Sequence, residues 1–444
     1  MNPTAFPQPS TAELVRVFGR IGLLSFGGPA GQIALMHRTL VEERKWLDEP
    51  RFLHALNYCM VLPGPEAMQL ATYAGWLLRG VPGGLIAGLL FVAPGAVLIV
   101  ALTAAYLAWG HVDLVQGLLF GLKAAVLAVV LDAMVKLSRR ALGDGVMVAV
   151  AVLAFVAIAF LKLPFPAIIV VAASIGLGLH LARGGEGAAG TGAVEEQVAM
   201  PEWTRPTRAR FARTLAVWSA LWFGPLILLQ LLLGPANVFS REASFFSIMA
   251  AVTFGGAYAV LAWVAQQAVE VQGWLRPDEM LTGLGFAETT PGPLILVLVY
   301  VGFLGAARLS GLDPVLGGLA GAAVTLWFTF VPCFLWIFVG APYVETVRGV
   351  RWLATALSAV TASVVGIIAN LTLWFALHVL FASVGEMAVG PLVLPVPAVG
   401  TFDPWAALIA VAAAVALIRF KIGMLTVLAA AMAAGIALRL AGTA

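Results

Sequence analysis

Residues 26–65, FGGPAGQIALMHRTLVEERKWLDEPRFLHALNYCMVLPGP, return as residues 254–293, FGGAYAVLAWVAQQAVEVQGWLRPDEMLTGLGFAETTPGP, in one ungapped register. Phe26-Gly27-Gly28 aligns with Phe254-Gly255-Gly256, and 254 − 26 is 228. Glu42 and Trp46-Leu47 align with Glu270 and Trp274-Leu275 at the same offset, as do Pro63-Gly64-Pro65 and Pro291-Gly292-Pro293. Phe18 with Phe246, Leu53 with Leu281 and Leu56 with Leu284 also keep it. A register held over that length marks an internal duplication, so the chain is made of two related halves.

The solvent of these halves follows from composition. Of 444 residues 61% are hydrophobic and 11% charged, and the mean hydropathy is +1.00. Soluble domains lie far from those values. A bilayer-spanning helix needs about 20 mainly apolar residues, and about eleven to thirteen such segments recur between residues 12 and 441. The expected fold is therefore an all-α polytopic membrane protein. A first repeat occupies 1–182, a polar Gly-, Glu- and Arg-rich linker 183–213, a connecting transmembrane helix 214–242 and a second repeat 243–444. Residues 1–15 lack the basic start and cleavage site of a removable signal. The two cysteines, Cys59 and Cys333, have no His or Cys neighbours at metal-ligand spacing, so neither a structural metal nor a cofactor is expected.

Orientation follows from counting. Five clear spans lie from 83 to 234; adding two interrupted segments as full crossings gives seven, and as dips leaves five. Both totals are odd, so the repeats should be inverted, an architecture that places a transporter's site near the bilayer midplane. Lys136, Arg139 and Arg140, the arginines from 183 to 213, Arg348 with Arg351, and Arg419 with Lys421 then share one face, which the positive-inside rule makes cytoplasmic, together with the amino terminus. The net charge of +3 needs no nucleic-acid partner to explain it. Residues 37–51 are basic and 265–279 carry one basic residue, which favours broken or re-entrant helices at the duplicated motifs over full crossings.

A glycine pair or a Pro-Gly-Pro triplet interrupts a helix, and in hydrocarbon the interruption must line protein or water. Pro65 and Pro293 suit the first turn of a new helix, whose free amides carry about half a positive charge and bind anions. Gly27, Gly28, Gly255 and Gly256 form a second pair of openings, so Pro63, Gly64, Pro65, Pro291, Gly292 and Pro293 join them as candidate substrate-binding residues. Charges inside apolar runs add Arg20, Glu66, Lys123 and Glu288, with Arg20 or Lys123 as the fixed cation. The plain alternatives stay open: kinks and packing points for the motifs, snorkelling to an interface for Arg20 and Lys123, an intrahelical pair for Asp132 with Lys136, and backbone capping for His54 and Asn57. No catalytic set is visible, since the five histidines are scattered and no phosphate-binding loop occurs.

At FGGPAGQ (26–32), VEERKWLDEPRF (41–52) and LPGPEAMQLATYAGWLLRG (62–80) the chain closely resembles the chromate ion transporter family in its long, two-domain form. Phe26, Gly27, Gly28, Pro29, Trp46, Phe52, Pro63, Gly64, Pro65, Gly75 and Gly80 carry the match, and the second half repeats it more weakly, with Ala257 in place of Pro29. The resemblance implies a bacterial inner-membrane protein that exports chromate and confers resistance, with sulfate or another tetrahedral oxyanion as the alternative substrate. Protons are a candidate co-substrate through Glu66 or Glu288. The oligomeric state is left open, with a homodimer one arrangement.

Overall fold

The computed structural model describes residues 8–182, 201–254, 257–343 and 351–442. Gly255, Gly256, Arg348 and most of the linker lie outside these residues. Among the described residues sixteen α-helices follow in order. In the first half these are α1 (Thr11–Leu24), α2 (Gly28–His37), α3 (Glu49–Val61), α4 (Glu66–Trp109), α5 (Asp113–Ala141), α6 (Gly145–Ala159) and α7 (Phe165–Ala182). A connecting α8 (Arg208–Leu233) leads to α9 (Val238–Val252), α10 (Ala257–Ala265), α11 (Pro277–Thr289), α12 (Val297–Leu309), α13 (Pro314–Gly340), α14 (Arg351–Leu380), α15 (Pro404–Ala414) and α16 (Met424–Leu440). Among the described residues six helices are long and apolar enough to cross a membrane, and further apolar helices are shorter, so the chain is a multi-pass membrane protein. Leu231 and Leu232 of α8 are largely exposed, as residues facing hydrocarbon can be.

Local chemistry sets the helix ends. Ser10 and Glu13 form a capping box at the start of α1, and Asp48, Asp144, Asp313 and Asp403 accept first-turn amides of α3, α6, α13 and α15. The ends of four helices share another device. A residue in the left-handed region follows the last turn, and the amide after it reaches back six residues: Trp46 to Leu40, Trp274 to Ala268, Leu163 to Ala157 and Ile422 to Ala416. Gly273 fills the left-handed position once, with φ 64°; Lys45, Lys162 and Lys421 fill the others, with φ of 52°, 51° and 52°.

The duplication is visible element by element. π-helical turns occupy Arg38–Glu43 and Gln266–Val271, and α3 and α11 begin and end 228 residues apart. Further on the offset changes: 403 − 144, 421 − 162 and 435 − 176 are each 259, relating Asp403, Lys421 and Gly435 to Asp144, Lys162 and Gly176. The 31 additional residues of the second half (259 − 228) include an antiparallel hairpin, β1 (Val384–Val389) with β2 (Leu392–Pro397), a feature the all-helical expectation did not contain.

The helices group into two compact units, each drawing on both halves of the sequence. The first spans Met1–Val100, Gly185–Gly256 and Thr290–Arg351; the second spans Ala101–Gly184, Ala257–Thr289 and Trp352–Ala444. Within the first, α4 is two helices joined at a break, where Arg79 leaves the helical region (φ −146°, ψ 26°) and Gly80 has φ 65°. The expected linker ends earlier than residue 213. The Trp203 indole donates to the Trp76 carbonyl at 3.0 Å and its ring covers Gly80, while Arg210 on α8 donates to the Trp203 carbonyl at 2.7 Å. The aromatic ring and the guanidinium hold Trp203 and Thr204 half-buried against α4, while residues 205–213 are exposed.

Within the second unit, close backbone approach is again made by glycines. Gly121 and Gly117 on α5 meet the backbone of α16 at Ala431 and Gly435, and Gly176 on α7 meets Thr355 and Ala356 on α14. The hairpin is tied to the α6–α7 turn by the Val393 amide on the Phe160 carbonyl (2.8 Å) and by Lys162 with Glu386 (2.9 Å). The positive-inside rule expects this turn on the side opposite the basic face that follows Arg140. Cysteines introduced at exposed Ala388 and Gly143 should therefore react with a membrane-impermeant maleimide from opposite sides, Ala388→Cys in intact cells and Gly143→Cys only in everted vesicles. Labelling of both from one side would contradict this topology.

Candidate functional site

The duplicated motifs build two helix junctions inside the first unit. At the first, α1 stops at Leu24; at the second, α9 stops at Val252. The next residue is a small hydroxyl in each case. Ser25 donates to the Ile21 carbonyl and Thr253 to the Met249 carbonyl, both at 2.6 Å, taking up a carbonyl left by the ending helix. Phe26 and Phe254 then turn the chain, their amides on the Leu24 and Val252 carbonyls at 2.9 and 3.1 Å. The two junctions are the same structure made twice.

Each junction is closed by the Pro-Gly-Pro of the other half. The Gly64 amide donates to the Thr253 carbonyl at 2.8 Å, and the Gly292 amide donates to the Ser25 carbonyl at 2.9 Å. Under the 228-residue register these are one hydrogen bond and its duplicate, since 253 − 25 and 292 − 64 are both 228. Gly64 has φ 122° and Gly292 φ 96°, left-handed values that a side chain resists. A Cβ at Gly64 would also lie 2.8 Å from Gln69 Nε2 and 2.9 Å from Cys333 Sγ.

New helices start from both triplets. The Gln69 amide is the first in α4 with an intrahelical acceptor, the Pro65 carbonyl at 3.0 Å, so the amides of Glu66, Ala67 and Met68 have no acceptor within the helix. The Glu66 carboxylate turns back on its own amide, taking one of the three. In the second copy a single 3₁₀ turn, Leu294–Leu296, precedes α12, with the Leu296 amide on the Pro293 carbonyl at 2.9 Å. α3, the first part of α4 and α11 to α12 are short stretches; thirteen residues, as in α3 and α11, extend about 20 Å and cannot cross a core about 30 Å thick.

Two glutamines complete the polar frame. Gln69 Nε2 donates to the Pro63 carbonyl at 2.7 Å; Gln32 Nε2 donates to the Gly292 carbonyl at 2.7 Å and lies 3.3 Å from the Ser25 carbonyl. Small residues let the neighbours close in. Gly95 on α4 lies so near the second triplet that a Cβ there would be 2.0 Å from the Pro291 carbonyl oxygen, and Gly84 and Gly88 accept the rings of Phe338 and Phe334 on α13. The side chains named at the junctions carry no positive charge. Positive potential there comes from helix amides.

The structure divides the sequence-selected residues accordingly. Pro63, Gly64, Pro65, Glu66, Pro291, Gly292, Pro293, Gly27 and Gly28 belong to the first unit, where Gly27 and Gly28 have φ of 85° and 72° at the start of α2. Arg20 also belongs to it but is exposed on α1. Lys123 and Glu288 belong to the second unit. Lys123 is 3.5 Å from Asp278 and lines a cavity of about 250 Å³ with Tyr106, Gln116, Arg276 and Arg439. Glu288 is buried and accepts a hydrogen bond from the Tyr258 hydroxyl. Asp132 pairs with Lys136 at 2.6 Å, the intrahelical pair their spacing suggests. Sequence reasoning passed over Ser25, Thr253, Gln32 and Gln69. It also passed over Glu242 on α9, fully buried with neither carboxylate oxygen partnered among the described residues. The signal for all five is polarity inside an apolar run, which uncharged side chains carry as well as charged ones.

A family model described as chromate transporter matches residues 12–178 and 242–436. A chromate transport protein of Pseudomonas aeruginosa is 30% identical over 375 residues, covering 83% of this chain and 82% of its own. One from Cupriavidus metallidurans is 26% identical over 373 residues, covering 82% of each, and a probable chromate transport protein of Synechococcus elongatus is 28% identical over 368 residues, covering 82% and 84%. No solved structure matches the chain.

Replacing Gly95 by Ala should destabilise the purified protein by about 1–3 kcal/mol, because the methyl meets a fixed carbonyl. Gly143→Ala, which meets nothing, should be neutral. Thermal midpoints of the two variants in one detergent check this, and equal midpoints would contradict the close approach.

Proposed function

The chain belongs to the chromate transporter family, and from that membership we propose that it is a secondary transporter that exports chromate across the bacterial inner membrane and thereby confers chromate resistance. The observation that carries this reading is the pair of junctions whose helix-start amides open inside an apolar protein. Backbone donors fixed in a low-dielectric surrounding can replace an oxyanion's water shell without a buried cation, and release it again because no full countercharge holds it. The reciprocal Gly64 and Gly292 hydrogen bonds are what a two-fold axis relating the halves would generate; the odd number of crossings between the copies supports inverted repeats, and the basic residues at the end of α5 support a cytoplasmic amino terminus. The domain boundaries follow the duplication: 1–182, 183–213, 214–242 and 243–444.

Energetics favour the outward direction. A dianion leaving a cell that is negative inside runs downhill by about 4.6 kcal/mol at 100 mV, from about 2.3 kcal/mol per charge. No nucleotide is then required. Glu66 and the Glu288–Tyr258 pair are the groups through which a proton could travel with the anion, and electrostatics favours carrying the two together. Sulfate is the second reading, because amide donors alone do not separate tetrahedral dianions of similar size.

In everted membrane vesicles, chromate should accumulate when the lumen is made positive, faster than sulfate or molybdate, and expression should raise growth on chromate. Chromate sensitivity that increases with expression, or flux indifferent to membrane potential and pH gradient alike, would contradict export by this protein.

A further inference from the structure

Each junction contains one side chain whose hydrogen bonding is half complete. Gln69 is 0% exposed and Gln32 is 1% exposed. In both, Nε2 donates to a junction carbonyl, of Pro63 and of Gly292. A carbonyl only accepts, so the orientation of each side-chain amide is fixed, and Oε1 must face the other way. Both Oε1 atoms are buried and without a donor among the described residues. Buried acceptors with no partner are uncommon and destabilise the state that contains them. Nor are these two an inheritance of the duplication, since the positions 228 residues beyond Gln32 and Gln69 are Val260 and Val297. Different helices, α2 and α4, supply the same group to the two copies of one junction.

The ligand that completes such a pair of groups must bring a hydrogen-bond donor to a place otherwise furnished with donors. We propose that Gln32 and Gln69 accept the hydroxyl of a singly protonated tetrahedral oxyanion, so that the protein takes hydrogen chromate in preference to the dianion; this rests on the oxyanion-transport reading above, with one charge rather than the two reckoned there moving down the membrane potential. The amides of Ala67 and Met68 serve the unprotonated oxygens, and Oε1 serves the protonated one. Against a fully deprotonated ion the same Oε1 meets an acceptor with an acceptor, which is repulsive and selects against that ion. Chromate takes up a proton near neutral pH, whereas sulfate does so only in strong acid. The glutamines thereby separate two anions of the same shape, which helix amides alone cannot do. No bond to chromium forms or breaks, and the proton crosses on the ion itself.

The titratable groups facing these amides are few. Glu66 lies on α4 with Gln69, Cys333 on α13 is within hydrogen-bond reach of Gln69, and Cys59 on α3 is near Glu66. Gln32 is bonded to backbone alone, and Glu242 is a fully buried carboxylate of this unit. A titration of any of these would act on sulfate and chromate alike. The test is the KM for total chromate, with the inhibition constant of sulfate as competitor, in proteoliposomes of the full chain over a pH range above the protonation of chromate. The chromate KM should rise about tenfold per pH unit, the linkage for one proton carried with the ligand, while the sulfate constant stays level. In the Gln32→Leu, Gln69→Leu double variant the chromate slope should flatten. A level chromate KM in the unaltered protein, equal slopes for both anions, or an undiminished slope in a double variant of normal abundance would each overturn the proposal. Absence of any oxyanion flux would refute the transport reading beneath it.

Discussion

Two backbone hydrogen bonds, Gly64 to Thr253 and Gly292 to Ser25, are the constraint on which the rest of the first unit depends. A helix that stops within an apolar layer leaves amides and carbonyls with no water to bind, and each unsatisfied group is costly there. Neither half of the chain can satisfy its own break. The triplet of each half donates to the residue that precedes the Phe-Gly-Gly motif of the other, so a break in one copy requires a break in its duplicate. The glycines are needed at positive φ, the serine and threonine cap their own helices, and Gly95 lets α4 approach the second triplet. Packing, turn chemistry and duplication agree at one place, as a well-specified fold requires.

Much of this is legible in the sequence. Glycine and proline announce breaks because their backbone properties act locally, and the 228-residue register survives because both copies must break at the same residues. The second half of each repeat is not legible in the same way. Its offset is 259, the hairpin interrupts the count, and plain apolar helices such as α6 and α15 hold their positions with interchangeable aliphatic residues. What persists there is a cap at Asp144 and Asp403, a lysine in the left-handed region and one close-packed glycine, too sparse to see in a sequence. The break at Gly80 within α4 is likewise hidden, because the apolar run continues through it.

Charge is the weaker guide to the site. Arg20 and Lys123 qualify as charged residues within apolar runs, yet one is exposed and the other shares its surroundings with Asp278. Long basic side chains carry their charge several ångströms from the backbone, so position along the chain says little about where the charge resides. Short uncharged polar groups are bound more closely to the backbone that holds them. Ser25, Thr253, Gln32 and Gln69 accordingly sit at the junctions, and an uncharged frame of amides suits a site that must release its ion as readily as it binds it.

The most direct measurement is an experimental structure of the protein with chromate, bound from solution at a pH where it is singly protonated and located by the anomalous scattering of chromium. The ion should lie at a junction, within hydrogen-bond distance of the amides following Pro65 or Pro293 and of the Gln69 or Gln32 side chain. An ion held instead in the cavity lined by Lys123 and Arg276, with both junctions empty and their cross-bonds undisturbed, would contradict a site built from helix amides.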